Sequence, residues 1–326
     1  MIEEIERIRL RRLRKSQKIR DLVSETSLNV SSLIQPIFVV DGEKIIEDID
    51  SMPGIKRYSL DMLDDYIQEL VENGIIAVLI FGIPKIKDEI GSEAYSKSGI
   101  IPRTIRRLKE SFPELVVAAD VCLCEYTTHG HCGIVENGII SNDKTLPLLS
   151  RAALTYAESG ADIVAPSAMM DHQVLSIRNA LDSEGFRDTI IMSYSAKYAS
   201  SLYSPFREAA FSSPKFGNRK EYQMDIRNSK EALREIEMDI KEGADIVMVK
   251  PALPNLDIIS QASSLYNVPI AAYSVSGEYS MIKFASMSGY LNEKDAVLEI
   301  TTSIKRAGAS IIITYYALQI AKWLKG

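Results

Sequence analysis

Short, continuous apolar runs recur along the chain at 33–40 (LIQPIFVV), 75–83 (IIAVLIFGI), 115–123 (LVVAADVCL), 161–168 (ADIVAPSA), 189–196 (TIIMSYSA), 244–250 (ADIVMVK), 268–275 (VPIAAYSV) and 309–316 (ASIIITYY). Because apolar and polar positions do not alternate within them, these runs read as strands covered on both faces, as in a parallel sheet. The stretches between them, 61–73, 102–111, 146–159, 172–183, 229–242, 257–266 and 293–307, carry the amphipathic pattern of helices. Gly74, Gly160, Gly243 and Gly308 stand just before the next strand, where a helix commonly ends. Eight strands alternating with helices predict an α/β fold, a (β/α)8 TIM barrel over residues 31–326, with an extended N-terminal arm over residues 1–30. A doubly wound sheet is the alternative, but no glycine-rich phosphate loop follows the first strand.

In a barrel of this kind the chemistry gathers at the C-terminal ends of the strands. The third run ends Asp120-Val121-Cys122-Leu123-Cys124, and alternation along a strand sends Asp120, Cys122 and Cys124 toward the same face. The loop that follows is rich in Gly and Thr and brings Cys132 within reach of them. Three thiolates suit a soft-ligand metal such as zinc and leave a fourth position open. His129 and His131 share that loop, where either completes a closed site or supports one. The competing readings are buried thiols without metal and a Cys–Cys crosslink.

Two lysines close neighbouring strands, Lys197 on the fifth and Lys250 on the sixth. Burial disfavours a charged amine, and a second cation beside it adds to the effect, so at least one is expected as the neutral nucleophile that attacks carbonyls. Either lysine alone reads more readily as a salt-bridged or snorkelling rim residue; the pair on neighbouring strands is what points to amine chemistry. Between Lys197 and the helix at Ser229 runs a long segment rich in Ser, Pro and Gly, read as an active-site lid. It carries Arg207, Lys215, Arg219 and Lys220, cations suited to a substrate carboxylate.

Composition narrows the picture. The three cysteines are the only ones in 326 residues, and an odd count leaves any disulfide scheme with a spare thiol. No apolar run approaches the roughly 18 residues of a membrane span and no signal core opens the chain, so no membrane association and an intracellular, cytoplasmic location are expected. The net charge of −6 hides an uneven split, +5 over residues 1–20 and −11 over the rest. No nucleic-acid motif follows the basic arm. It is therefore expected to dock on an acidic neighbour of the same kind rather than on nucleic acid.

Several stretches together resemble the 5-aminolevulinate dehydratase, or porphobilinogen synthase, family over essentially the whole chain: DVCLC at 120–124, THGHCG at 128–133, YSAKYA at 194–199, PFREA at 205–209, NRKEYQMD at 218–225, MVKPA at 248–252, YSVSGEY at 273–279 and TYYA at 314–317. The resemblance implies a barrel lyase that condenses two molecules of 5-aminolevulinate into porphobilinogen with loss of two waters. It also implies Lys250 as the Schiff-base lysine for one substrate and Lys197 as the partner of the other substrate's ketone. Ser276 and Tyr315 are then expected to bind the first carboxylate, and Arg207 and Arg219, with Gln223 beside them, the second. Asp120, joined by Ser167, is expected to relay protons, and Cys122, Cys124 and Cys132 match the zinc-dependent branch of the family. Glu235 matches a position near an activating magnesium, and the basic arm, with Arg9, Arg11, Arg12 and Arg14, matches arms that wrap neighbouring barrels in a homo-octamer. Ser204, Glu208 and Asn218 depart from the family's usual Gly, Asp and Asp. The functional alternative is a class I Schiff-base aldolase, which needs one such lysine and no thiolate cluster.

Overall fold

A computed structural model describes residues 8–325 of the chain. Twelve strands are numbered in chain order: β1 Leu33–Val40, β2 Ile46–Asp48, β3 Lys56–Ser59, β4 Ala77–Ile83, β5 Val116–Val121, β6 Ile134–Glu136, β7 Ile139–Ser141, β8 Ile163–Pro166, β9 Ile190–Lys197, β10 Ile246–Lys250, β11 Ile270–Ser274 and β12 Ile311–Thr314. Eight of these, β1, β4, β5, β8, β9, β10, β11 and β12, pair in parallel in that order, and β12 returns to β1 through Leu33↔Ile312 and Ile34↔Ile313. That closure makes a TIM barrel and excludes the open doubly wound sheet. Each predicted strand is present: 33–40 in full, 189–196 shifted by one residue to end at Lys197, and the other six shortened by two to four residues. The barrel strands are buried almost throughout because helices cover their outer faces and side chains fill the interior.

The predicted helices form as well, and Gly243 and Gly308 end theirs at φ of +105° and +116°, a left-handed conformation that costs glycine least. The short strands β2, β3, β6 and β7 and three helices go beyond the sequence pattern. The helix Ser276–Met287 starts directly after β11, Ser204–Ala209 forms inside the segment read as a lid, and Ala317–Lys325 follows β12. Gly277 and the serines weaken the helical signal of the first of these, which gains its stability from packing Tyr279 and Ile282 into the core. One expectation needs correction. Strand β5 stops at Val121, so Cys122 and Cys124 stand on the loop beyond it and not on a strand face.

Ahead of the barrel, no residue from 8 to 32 is buried, and the short helices Leu10–Arg14 and Gln17–Leu22 bury nothing. Glu3, Glu4, Glu6 and Arg7, which enter the +5 charge of the arm, lie outside the described residues. Among the described residues, no helix is long and apolar enough to cross a membrane.

Candidate active site

The two lysines meet because β9 carries one residue more than β10. Their register runs from Ile246↔Met192 to Lys250↔Lys197, with a shift between Val247 and Val249. Without that bulge Lys250 would face Ala196; with it the two amines leave adjacent strand ends side by side. Lys250 Nζ is enclosed by rings, 4.2 Å from the centroid of Tyr273, 4.9 Å from Tyr194, 5.2 Å from Tyr203 and 5.4 Å from Phe206. Ring faces favour the ammonium by roughly 0.5–2 kcal/mol each at best. Desolvation outweighs them and, with the charge of Lys197, brings the Lys250 pKa down to about 7. Lys197 Nζ instead donates to the Ser167 carbonyl at 2.6 Å.

Asp120 lies beside this pair. Its Oδ2 accepts the Ser167 hydroxyl at 3.0 Å, while Oδ1 is buried without a partner. Burial, followed by the nearby Glu125, raises its pKa to about 7, so the carboxyl is able to take or give a proton near neutrality. One cavity joins Asp120, Cys124, Lys197, Lys250 and Arg219 under the lid's Phe206.

The three cysteines are free and buried, and their sulfurs lie within 4.8 Å of one another. Cys122 Sγ and Cys124 Sγ are 3.4 Å apart. Hydrogen bonds from Cys122 and Cys124, then the charges of Arg219 and Lys197, pull the Cys132 thiol well below its ordinary pKa. Three convergent soft donors, one of them already favouring thiolate, form a group that can hold a metal ion. The loop folds back to deliver Cys132, as the spacing suggested, but neither histidine joins it. His131 bonds to the Tyr222 hydroxyl at 3.0 Å and the Phe216 carbonyl at 2.9 Å, and His129 Nδ1 accepts the His131 backbone N–H. Glu125, which the sequence reading passed over, forms a second group with Asp120 and Cys122 and accepts the Cys124 thiol at 3.2 Å.

The lid is tied down at both ends. Buried Arg57 donates to the Ala209 and Glu208 carbonyls, and Phe206 N–H donates to Ser276 Oγ at 3.0 Å. Arg219 Nη2 donates to Gly130 O at 2.9 Å and Ser212 O at 2.6 Å, which binds the lid to the cysteine loop. Yet Arg219 Nε, Arg207 Nε and both amide atoms of Gln223 are buried without partners, although all three residues line one pocket. Buried polar atoms left open cost about 1–3 kcal/mol each, and three of these four are donors, so this wall can receive a ligand rich in acceptors. Across the site, Ser276 begins its helix and Tyr315 follows β12, its hydroxyl 3.1 Å from that of Tyr273. Glu235 lies apart, on the helix Ser229–Glu242, half-buried in a groove that it shares with Asp171 and Glu231.

Comparison with known proteins agrees with this geometry. The profile of the delta-aminolevulinic acid dehydratase family matches residues 7–323. The chain belongs to the delta-aminolevulinic acid dehydratase family. It is 55% identical over 322 residues to the delta-aminolevulinic acid dehydratase of Archaeoglobus fulgidus, covering 99% of both chains, and 54% identical over 316 residues to that of Bacillus subtilis, covering 97% of this chain and 98% of the other. Among solved structures, that of the delta-aminolevulinic acid dehydratase from Toxoplasma gondii ME49, in complex with its reaction product porphobilinogen, superposes with a TM-score of 0.95 at 46% identity, covering 97% of this chain and 91% of that one.

Proposed function

We propose that the chain is a lyase of porphyrin biosynthesis that condenses two molecules of 5-aminolevulinate to porphobilinogen and two waters. The observation that carries this reading is the register pairing of Lys250 with Lys197, one amine desolvated among rings and both within one cavity with the thiol cluster. Lys250 Nζ, neutral above about pH 7, attacks the ketone of the first substrate, and water leaves as the imine forms. The iminium makes the adjacent C–H acidic, and the carbon so exposed attacks the second substrate's carbonyl. Lys197 engages that ketone, and Asp120 exchanges protons through Oδ1, with Ser167 holding its other oxygen.

Ser276 and Tyr315 seat the first carboxylate, and the open donors of Arg207, Arg219 and Gln223 take the second. Holding two copies of one small molecule in unlike settings supplies both orientation and asymmetry. Cys122, Cys124 and Cys132 would hold zinc, which when bound supplies a Lewis acid able to polarise a substrate oxygen or keep an amine unprotonated. An aldolase requires only one Schiff-base lysine and no thiolate cluster.

Magnesium at Glu235 is a further part of the reading. Burial, with Asp239, Asp171 and Glu231 nearby, raises the Glu235 pKa to about 7, an electrostatic setting that a hard cation relieves. The exposed Ile8, Leu10, Leu13 and Leu22, interspersed with Arg9, Arg11, Arg12 and Arg14, support an arm that packs on another copy, with an octamer as the assembly. The test of the reaction is porphobilinogen formation from 5-aminolevulinate by the metal-loaded chain, its loss on chelation and its return with zinc. A zinc-loaded chain that forms no porphobilinogen overturns the proposal.

A further inference from the structure

Glu278 is fully buried and takes no part in the chemistry above. It lies in the first turn of the helix Ser276–Met287. Its Oε1 accepts the Leu253 backbone N–H at 2.5 Å, and its Oε2 accepts the backbone N–H of Val275. Leu253 is three residues past Lys250, and Val275 immediately precedes Ser276. One carboxylate therefore bridges the turn that leaves β10 at the Schiff-base lysine and the turn that leaves β11 at the proposed carboxylate seat. A second link runs alongside, from Ala252 N–H to the Tyr273 carbonyl at 2.9 Å.

Among the described residues, no salt bridge pairs Glu278 with a cation; backbone N–H groups, the Ser274 hydroxyl and the helix N-terminus balance its charge. Capping a helix does not require such burial, since exposed acids at a first turn do the same at less cost. Here burial dominates and raises the pKa to about 7 against the bonds from the Leu253 and Val275 N–H groups, the Ser274 hydroxyl and the Ala252 N–H. The far side of the same helix start has no room to move. A Cβ on Gly277 would sit 2.6 Å from the backbone of Leu202, and Ser276 Oγ bonds to both Leu202 O and Phe206 N–H. The Ser276 end is wedged against the lid stem, and the Lys250 turn is tied to it through one side chain.

We infer that Glu278 is a positioning residue that sets the spacing between the Lys250 amine and the Ser276–Tyr315 seat, and so selects keto acids whose ketone and carboxylate match that span. This inference rests on the roles proposed for Lys250 and Ser276. Glu278→Gln puts an NH2 group where one of two N–H donors needs an acceptor, which releases one turn from the other.

The test is reductive trapping at Lys250 followed by protein mass, with levulinate, a 4-keto acid, and with 2-butanone, which is levulinate with its carboxylate replaced by hydrogen. Each ketone loses water to form the imine, and borohydride supplies the hydride that fixes it as a secondary amine. The wild-type chain is expected to favour levulinate, and Glu278→Gln to lose that preference by roughly tenfold or more while trapping by 2-butanone stays within about a factor of two. Equal loss with both ketones, or an unchanged preference, overturns the inference. Should the Gln variant not fold, Glu278→Asp, which keeps the charge but shortens the reach, is read against the same criterion. A wild-type chain trapped equally by both ketones overturns the parent reading and this inference with it.

Discussion

The two walls of the site are built differently. On the Lys250 side, Ser276, Tyr315 and Glu278 are already bonded, to the lid stem, to Tyr273 and to two turns, while Asp120 Oδ1 and the Tyr194 hydroxyl stay open. On the other side, Arg207, Arg219 and Gln223 come from the lid, the thiols come from a loop, and several buried donors have no partner. In the proposed reaction the first wall carries the covalent step, which requires its geometry to be held before substrate arrives. The second leaves its hydrogen bonds open for an anion to complete, and its full order depends on what binds there.

Changes to the first wall should therefore strike turnover hardest. Lys250→Ala is expected to reduce porphobilinogen formation by roughly a thousandfold or more, as loss of a covalent nucleophile does. Its circular dichroism and melting should stay close to wild type, and near wild-type turnover would show the lysine assignment to be wrong. On the second wall, Cys124→Ala should weaken zinc binding by more than the roughly 10–100-fold typical of an outer-shell partner, measured by competition with a chelating dye. Full activity in a metal-free Cys124→Ala chain would refute a catalytic role for zinc.

Arg219→Lys keeps the charge but loses the planar fork, so the half-saturating substrate concentration should rise roughly 10–100-fold, with a smaller change in kcat. A change confined to kcat would move Arg219 out of carboxylate binding. The walls should also separate with pH. With neutral Lys250 as the reactive form in the proposed reaction, its trapping rate should climb about tenfold per unit below pH 7 and level off above it. The sign for stability follows from the same group: between about 7 and its ordinary 10.5 the unfolded chain binds more protons, so this lysine's contribution rises with pH across that window. Smallest of all, Glu235→Gln is expected to change only the response of activity to added magnesium, by a factor of about two or three, the scale of a partly buried surface ion contact. Sedimentation with and without magnesium then shows whether assembly responds as well.

Much of the barrel was legible because parallel strands are buried on both faces and write themselves as unbroken apolar runs. The lysine pair was legible as two strand ends, but the bulge that aligns Lys250 with Lys197 depends on inter-strand register, which no local pattern records. The thiol cluster was legible from the spacing of Cys122, Cys124 and Cys132, whereas the retreat of His131 toward Tyr222 follows from how the lid packs. Tyr194, Tyr203, Phe206 and Tyr273 reach Lys250 from separate parts of the chain, so only tertiary structure assembles their enclosure. Glu278 looks in sequence like an ordinary acid in a helix's first turn; its burial alone marks it out.

The contrast between a covalent wall and a receptive one is tested most directly by treating the wild-type chain with 5-aminolevulinate and borohydride and mapping the adduct by peptide mass. The account predicts a reduced adduct on Lys250, formed faster as the pH rises through about 7. Absence of an adduct on Lys250, with substrate present and the chain folded, would contradict it.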